Sequence, residues 1–280
     1  MSRNSLLCPN CRRLISANED SCPYCGLKNP DSWWKNNIWV RARYDTDSVT
    51  KAIIGINVIM FILSIIIDPG KSAMALSPFQ FLSPSNRSLI LLGATGAYPI
   101  DNLHRWWSLL SANYLHGGLL HILFNMLVFR QLAPLAANEF GLNRMITIYT
   151  GSGVAGYLLS YVIGIPFTIG ASAAVTGLMG AIIYYGKSRG GHYGQAIYSQ
   201  VGVWAIAIFV FGFLVPGINN WGHGGGMLAG ALLGYLLGYT ERKKETFFDR
   251  IAAALCIGTT LLVLTYAVIT ALYYVVSGVV

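Results

Sequence analysis

The sequence predicts an all-α polytopic membrane protein of seven spanning helices, with a small cysteine-bearing head in front of them. Three observations lead there. Of the 280 residues, 54% are hydrophobic and only 11% charged, where a soluble domain carries about 25% charged residues. Apolar runs of spanning length recur from residue 52 to the C-terminus. The basic residues fall on alternate connections, the pattern that sets orientation in a bilayer. The net charge of +8 therefore points to a lipid surface as partner, and nucleic acid is not expected.

Seven runs have the length and character of spans: 52–67, 119–137, 145–164, 171–186, 201–215, 222–239 and 251–276. The second is interrupted by Arg130 and Gln131, and snorkelling of Arg130 to the inner headgroups accounts for the charge. With the head inside, eight Lys and Arg up to Lys51 face the cytoplasm. Eight more join them there: Arg130, Arg144, Lys187, Arg189, Arg242, Lys243, Lys244 and Arg250. Only Lys71, Arg87 and Arg105 lie on the other side. This bias predicts a cytoplasmic N-terminus, an outer C-terminus and residence in the plasma membrane.

The organisation that follows is a head over 1–30, a juxtamembrane linker over 31–50, a six-helix core over 51–240, and a cytoplasmic loop with the seventh helix over 241–280. Within the core, 68–118 is an outer connection far beyond ordinary loop length. Its Ser77-Pro78 and Ser83-Pro84-Ser85 turns, its apolar 89–92 stretch and Arg105-Trp106-Trp107 predict a structured, partly embedded segment.

The head carries two CxxC knuckles, Cys8-Pro9-Asn10-Cys11 and Cys22-Pro23-Tyr24-Cys25. Four thiolates at this spacing suit a closed, structural zinc site. Two disulfides are the other reading, which a reducing cytoplasm disfavours. What the ribbon binds is not legible; a protein partner is one use for it. Trp33-Trp34-Lys35 and Arg41–Arg43 suit the inner membrane surface. Cys256, alone in the last run, is an ordinary packing residue.

Ionisable and polar groups inside spans are functional hypotheses by default. Ser172 opens the fourth span, and His223 opens the sixth. The sixth repeats glycine at every fourth residue (Gly222, Gly226, Gly230, Gly234, Gly238), and the fourth answers with Ala173, Gly177 and Ala181. Small residues at this spacing let helices approach closely. The two spans run in the same direction, so packing these faces brings Ser172 to His223, a hydroxyl beside its general base. Taken alone, Ser172 is an ordinary helix residue and His223 a packing histidine. His121 and Asn125, entering the second span after His116, share a helical face. They suit either an oxyanion hole or interhelical hydrogen bonding. A metal site of His116, His121 and His223 lacks a carboxylate or cysteine to complete it. With no acidic residue in a span near the pair, the chemistry is that of a dyad.

This constellation resembles the rhomboid family of intramembrane serine proteases. The resemblance covers roughly residues 51–239 and rests on His121-x-x-x-Asn125, on Gly170-x-Ser172, and on His223 with its trailing glycines. It implies a six-helix rhomboid-like bundle with Ser172 as nucleophile and His223 as base. It further implies an oxyanion hole from His121, Asn125 and the Ser172 amide, with Gly170, Thr176, Gly226 and His116 in support. The expected activity is endopeptidase cleavage of transmembrane substrates near the outer face, with no metal at the active site. Three positions depart from the family pattern. Ala173 stands where glycine usually follows the serine. Thr176 replaces an aromatic that stacks on the histidine. Trp107-Ser108 replaces Trp-Arg. A non-catalytic adaptor of the same fold, binding transmembrane clients while the ribbon recruits a partner, is the alternative. A transporter fits the glycine-broken helices but not polar groups gathered at the outer third.

Overall fold

The computed structural model describes residues 5–8, 13–17, 19–24, 26–31, 45–69, 73–74 and 81–278. The chain divides into two units, Met1–Ala52 and Ile53–Val280.

In the first unit, β1 (Ser5–Leu7) pairs antiparallel with β2 (Leu14–Ser16), Leu7 opposite Leu14. The Cys8 amide donates to the Arg13 carbonyl at 2.9 Å, and the Cys22 amide to the Leu27 carbonyl at 2.8 Å. Both cysteines thus open turns closed by the same five-residue bond. Gly26, at φ +73°, supplies the left-handed residue of the second turn. Cys8 and Cys22 are buried with Ile15 in one small cluster. Cys11 and Cys25 lie outside the described residues, as do Trp33-Trp34-Lys35 and Arg41–Arg43.

Among the described residues, seven helices run eighteen residues or more: α1 (Thr46–Ile66), α4 (Leu119–Phe140), α5 (Leu142–Val162), α6 (Ser172–Arg189), α7 (Gly191–Leu214), α8 (Asn220–Leu237) and α9 (Phe247–Ser277). Four of them, α1, α4, α7 and α9, are long and apolar enough to cross a membrane. The chain is a multi-pass membrane protein. The other three are diluted in hydropathy by the Gly and Ser of the faces they turn to one another. Two helix starts lie furthest from those of the hydrophobic runs. α1 begins at Thr46, inside the expected linker, where Asp45 accepts from Ser48 Oγ and Asp47 pairs with Lys51 one turn on. α7 begins at Gly191, ten residues before its apolar run, because His192, Gln195, Ser199 and Gln200 are helical without being apolar.

The centre of the bundle is a three-helix contact of α5, α6 and α8 at backbone distance. A Cβ at Gly226 would overlap the Ala173 carbonyl, and one at Gly230 the Gly177 carbonyl; one at Gly234 would stand 3.2 Å from the Ala181 methyl. These three pairs advance together, so α6 and α8 are parallel and in register. From the other side, α5 meets Ala174 at Gly153 and Ala173 at Gly156.

The connection 68–118 is structured where described. It contains β3 (Ala73–Met74) paired with β4 (Phe81–Ser83), the short helices α2 (Asn86–Leu91) and α3 (Ser108–Ser111), a π-type turn at Tyr98–Asn102 and a 3₁₀ turn at Ala112–Tyr114. Thr95 and Thr168 exchange both backbone hydrogen bonds, at 3.1 and 2.7 Å, fastening this segment to the chain that leads into α6.

α9 docks on α5 through Arg144, a fully buried cation. Its Nε and Nη2 donate to the two carboxylate oxygens of Asp249, each at 3.1 Å. Nη1 donates to the Gly238 and Lys243 carbonyls, and Nη2 also to that of Lys244. All five guanidinium N–H groups are used, which is what a buried arginine requires. Asp249 also closes a capping box with Thr246 at the start of α9.

Gly230→Ala forces the α6–α8 backbones apart and is expected to destabilise the bundle by about 1–3 kcal/mol, read as a lower melting temperature in detergent. Gly258→Ala, where a new methyl meets nothing within 4 Å, is the control and leaves the melting temperature unchanged or slightly higher. Equal behaviour of the two variants contradicts the packing.

Candidate active site

Ser172 is the first residue of α6, and two bonds fix the residues before it. The Gly170 amide donates to the Ala112 carbonyl at 2.9 Å, and the Tyr157 hydroxyl of α5 donates to the Gly170 carbonyl. Gly170 sits at φ +124°, and a Cβ there would stand 2.7 Å from His121 Nε2 and 3.6 Å from Ser172 Oγ. Glycine is therefore required twice, for its backbone angle and for the space. The same figures put His121 and Ser172 on one small space beside Gly170. The first intrahelical bond of α6 runs from the Val175 amide to the Ala171 carbonyl. The amides of Ser172, Ala173 and Ala174 precede it at the positive end of the helix and have no partner within it.

His223 lies in the first turn of α8 and is buried, 6% exposed. Among the described residues its Nδ1 has no hydrogen-bond partner, and none of their carboxylates orients the ring. Orientation comes from packing. The Thr176 hydroxyl, one turn into α6, donates to the His223 carbonyl at 3.0 Å and lies 2.9 Å from the Ser172 carbonyl of its own helix. Thr176 thus joins the α6 and α8 backbones at the level of Ser172 and His223. The aromatic neighbour of His223 is Phe209 of α7, edge to face with centroids 6.4 Å apart. Thr176 supports the histidine's backbone, and Phe209 lies against its ring.

The start of α8 is held by Asn219. Its side-chain oxygen caps the Gly222 amide at 3.0 Å, while its amide donates to Ser160 Oγ at 2.8 Å and Thr168 Oγ1 at 3.0 Å. That one side chain connects α5, the approach to α6 and α8.

His121 Nδ1 accepts from the Gly117 amide at 3.2 Å. A neutral ring then carries its proton on Nε2, the nitrogen that faces Gly170. Asn125 is buried on the same face and donates to the His121 carbonyl at 2.9 Å. One of its two amide N–H groups is thus used within α4. His116 is fully buried against His121, ring centroids 5.1 Å apart, and neither of its nitrogens has a partner among the described residues. Burial, and then the neighbouring His121, holds its pKa well below the usual imidazole range.

Gly226 is the α8 residue against which the Ala173 carbonyl rests. Ala173 is fully buried, and its methyl is accommodated because the opposing residue is Gly156, where a Cβ would stand 3.1 Å away. Ser108 is buried and donates to Thr95 Oγ1 at 2.9 Å. It belongs to the fastening of the outer segment. Asp101 accepts from Tyr161 at 3.0 Å on the surface, removed from the histidines. Arg130 is exposed.

The structure thus gathers His116, His121, Gly170, Ser172, Thr176, His223 and Gly226 around the starts of α4, α6 and α8. Tyr157, Phe209 and Asn219 are the site residues that sequence reasoning missed. Asn219 precedes a helix rich in glycine and carries the N-cap signature, so it could have been found. Nothing local marks Tyr157 or Phe209.

Comparison with known proteins gives a consistent picture. A rhomboid domain model matches residues 103–240. The chain is 32% identical over 197 residues to RHOMBOID-like protein 4 of Arabidopsis thaliana, covering 65% of the chain and 50% of that protein. It is 32% identical over 149 residues to the rhomboid protease GluP of Bacillus subtilis, covering 53% of the chain and 29% of that protein. RHOMBOID-like protein 1 of Arabidopsis thaliana is 30% identical over 215 residues, 71% of the chain and 55% of that protein. The chain therefore spans about half the length, or less, of these relatives.

Asn219→Ala removes the cap and leaves Ser160 and Thr168 without their donor. The expected loss of stability is about 1–2 kcal/mol. Asn219→Asp keeps the cap and is expected to recover at least half of it. A thermal melt of the two variants that ranks Asp no better than Ala contradicts the capping role.

Proposed function

Because the chain belongs to the rhomboid family, we propose that it is an intramembrane serine endopeptidase working through a Ser172–His223 dyad. The observation that carries this reading is the contact between parallel helices α6 and α8, bridged by Thr176 at the level of both residues. The family itself includes a protease among the relatives matched.

In this mechanism a substrate transmembrane segment enters from the side and unwinds near its outer end. Ser172 Oγ attacks the scissile carbonyl as His223 Nε2 takes its proton. The oxyanion is held by His121 Nε2–H and by the Ser172 amide at the start of α6. Asn125 contributes through the second N–H of its amide, the first being held by the His121 carbonyl. His223 then protonates the leaving amine, and water hydrolyses the acyl-enzyme. Packing by Phe209 and the Thr176 bond replace the aspartate of a triad in orienting the ring.

The reading extends to the rest of the chain. Seven helices span the plasma membrane with the N-terminus cytoplasmic and the C-terminus outside, as the distribution of Lys and Arg supports. The head holds a structural zinc through Cys8, Cys11, Cys22 and Cys25. Two buried cysteines opening equivalent turns fit that role. Its use is recruitment of a protein partner.

Cleavage of a model transmembrane substrate in liposomes tests the activity. Wild type is expected to cleave, and Ser172→Ala and His223→Ala to abolish turnover. Removing one oxyanion donor, as in His121→Ala, is expected to cost about 10²–10³ in rate. Cleavage that survives Ser172→Ala identifies another nucleophile. A stable, folded wild type that cleaves nothing moves the reading to a client-binding adaptor. For the head, metal analysis of purified protein is expected to find one zinc per chain, lost in a Cys8→Ser/Cys22→Ser variant. Zinc-free wild type contradicts the ribbon.

A further inference from the structure

α9 stands apart from the residues that perform the chemistry, yet it reaches the nucleophile through three successive contacts. Tyr266 of α9 meets Trp107 edge to face, centroids 5.4 Å apart. Trp107 is wedged against Gly93: a Cβ there would overlap the indole. The Arg105 guanidinium lies 5.9 Å over the same ring and donates to the Ile90 carbonyl at 2.6 Å. Trp107 leads directly into α3, whose Ser111 hydroxyl donates to the Gly93 carbonyl at 2.8 Å. The next residue is Ala112, fully buried, and its carbonyl holds the Gly170 amide at 2.9 Å. Gly170 is two residues from Ser172. At its other end α9 is fixed by Arg144 and Asp249, 3.1 Å apart. It is therefore anchored at one end and bears on the outer segment in its middle.

We propose that α9 is a positioning element for the nucleophile: Tyr266 holds Trp107, and through α3 and Ala112 sets the backbone of Gly170 and hence the placement of Ser172. The proposal rests on Ser172 being the nucleophile. Neither Tyr266 nor Trp107 touches the site described above. Tyr266 is a positioning residue that acts at a distance, through a wall of the outer segment. Small misplacements of a reacting group reduce rate far more than they reduce binding, by up to about a hundredfold for 1 Å.

The test compares wild type, Tyr266→Ala and Tyr266→Phe as full chains in detergent, by turnover of the model substrate and by hydrogen exchange with mass spectrometry. In Tyr266→Ala, kcat is expected to fall about tenfold to a hundredfold with KM unchanged. Exchange is expected to rise in residues 107–115 and 168–174 alone. Tyr266→Phe, which keeps the ring, restores both. Unchanged exchange in those two segments overturns the proposal, as does a rise spread over the whole chain or a loss that Phe does not rescue. Should wild type show no turnover, the proteolytic reading fails separately. Exchange alone then decides whether Tyr266 governs the 168–174 backbone: a local rise supports the coupling and no change removes it.

Discussion

The architecture depends on one constraint: α6 and α8 must approach until their backbones touch. No side chain, not even a methyl, can stand at Gly226 against Ala173 or at Gly230 against Gly177, since a Cβ at either glycine overlaps the facing carbonyl. Inside a bilayer there is no hydrophobic gain from helix association, so dispersion and backbone contact have to supply it. The same closeness gives register. Two smooth parallel helices meeting at four-residue intervals have their first turns level, and those turns hold Ser172 and His223. Other elements serve this contact. α5 backs it with Gly153 and Gly156, Asn219 fixes the start of α8, and Tyr157 and Ala112 fix the approach to α6.

A rigid contact of this kind changes what the proposed chemistry needs. In a soluble serine hydrolase a carboxylate orients the base. Here His223 Nδ1 is buried without a partner among the described residues, and a buried carboxylate beside it would be costly to desolvate. Orientation instead comes from the helix that carries the ring, pinned by the Thr176 hydroxyl, and from Phe209 at its edge. Buried opposite charges are paired at Arg144 and Asp249. There a complete set of partners makes burial tolerable and ties α9 to the bundle.

Much of this was legible in the sequence, for a physical reason. Membrane helices announce themselves by composition, and glycines at every fourth residue state which faces meet, so the α6–α8 pairing and the level of Ser172 and His223 followed from spacing. What the sequence hid was of a different kind. The helical start of α7 is polar and carries no hydropathy signal. Arg144 counted only as an inner-side charge, because its five partners come from residues about a hundred positions away. The aromatic neighbour of His223 is Phe209 on another helix, not position 176, and no local pattern encodes it. The outer segment was expected to be structured, but its bonds to Gly170 and Thr168 are backbone to backbone and leave no mark on residue type. The head remains half seen, since Cys11 and Cys25 lie outside the described residues.

The central claim is that helix packing alone makes Ser172 a nucleophile with His223 as its base. The most direct measurement is to treat the intact protein in detergent with a fluorophosphonate and locate the adduct by peptide mass spectrometry. The account predicts a single modification on the peptide containing Ser172, absent when His223 is replaced by alanine. An adduct on another residue, or equal labelling of Ser172 without His223, would contradict it.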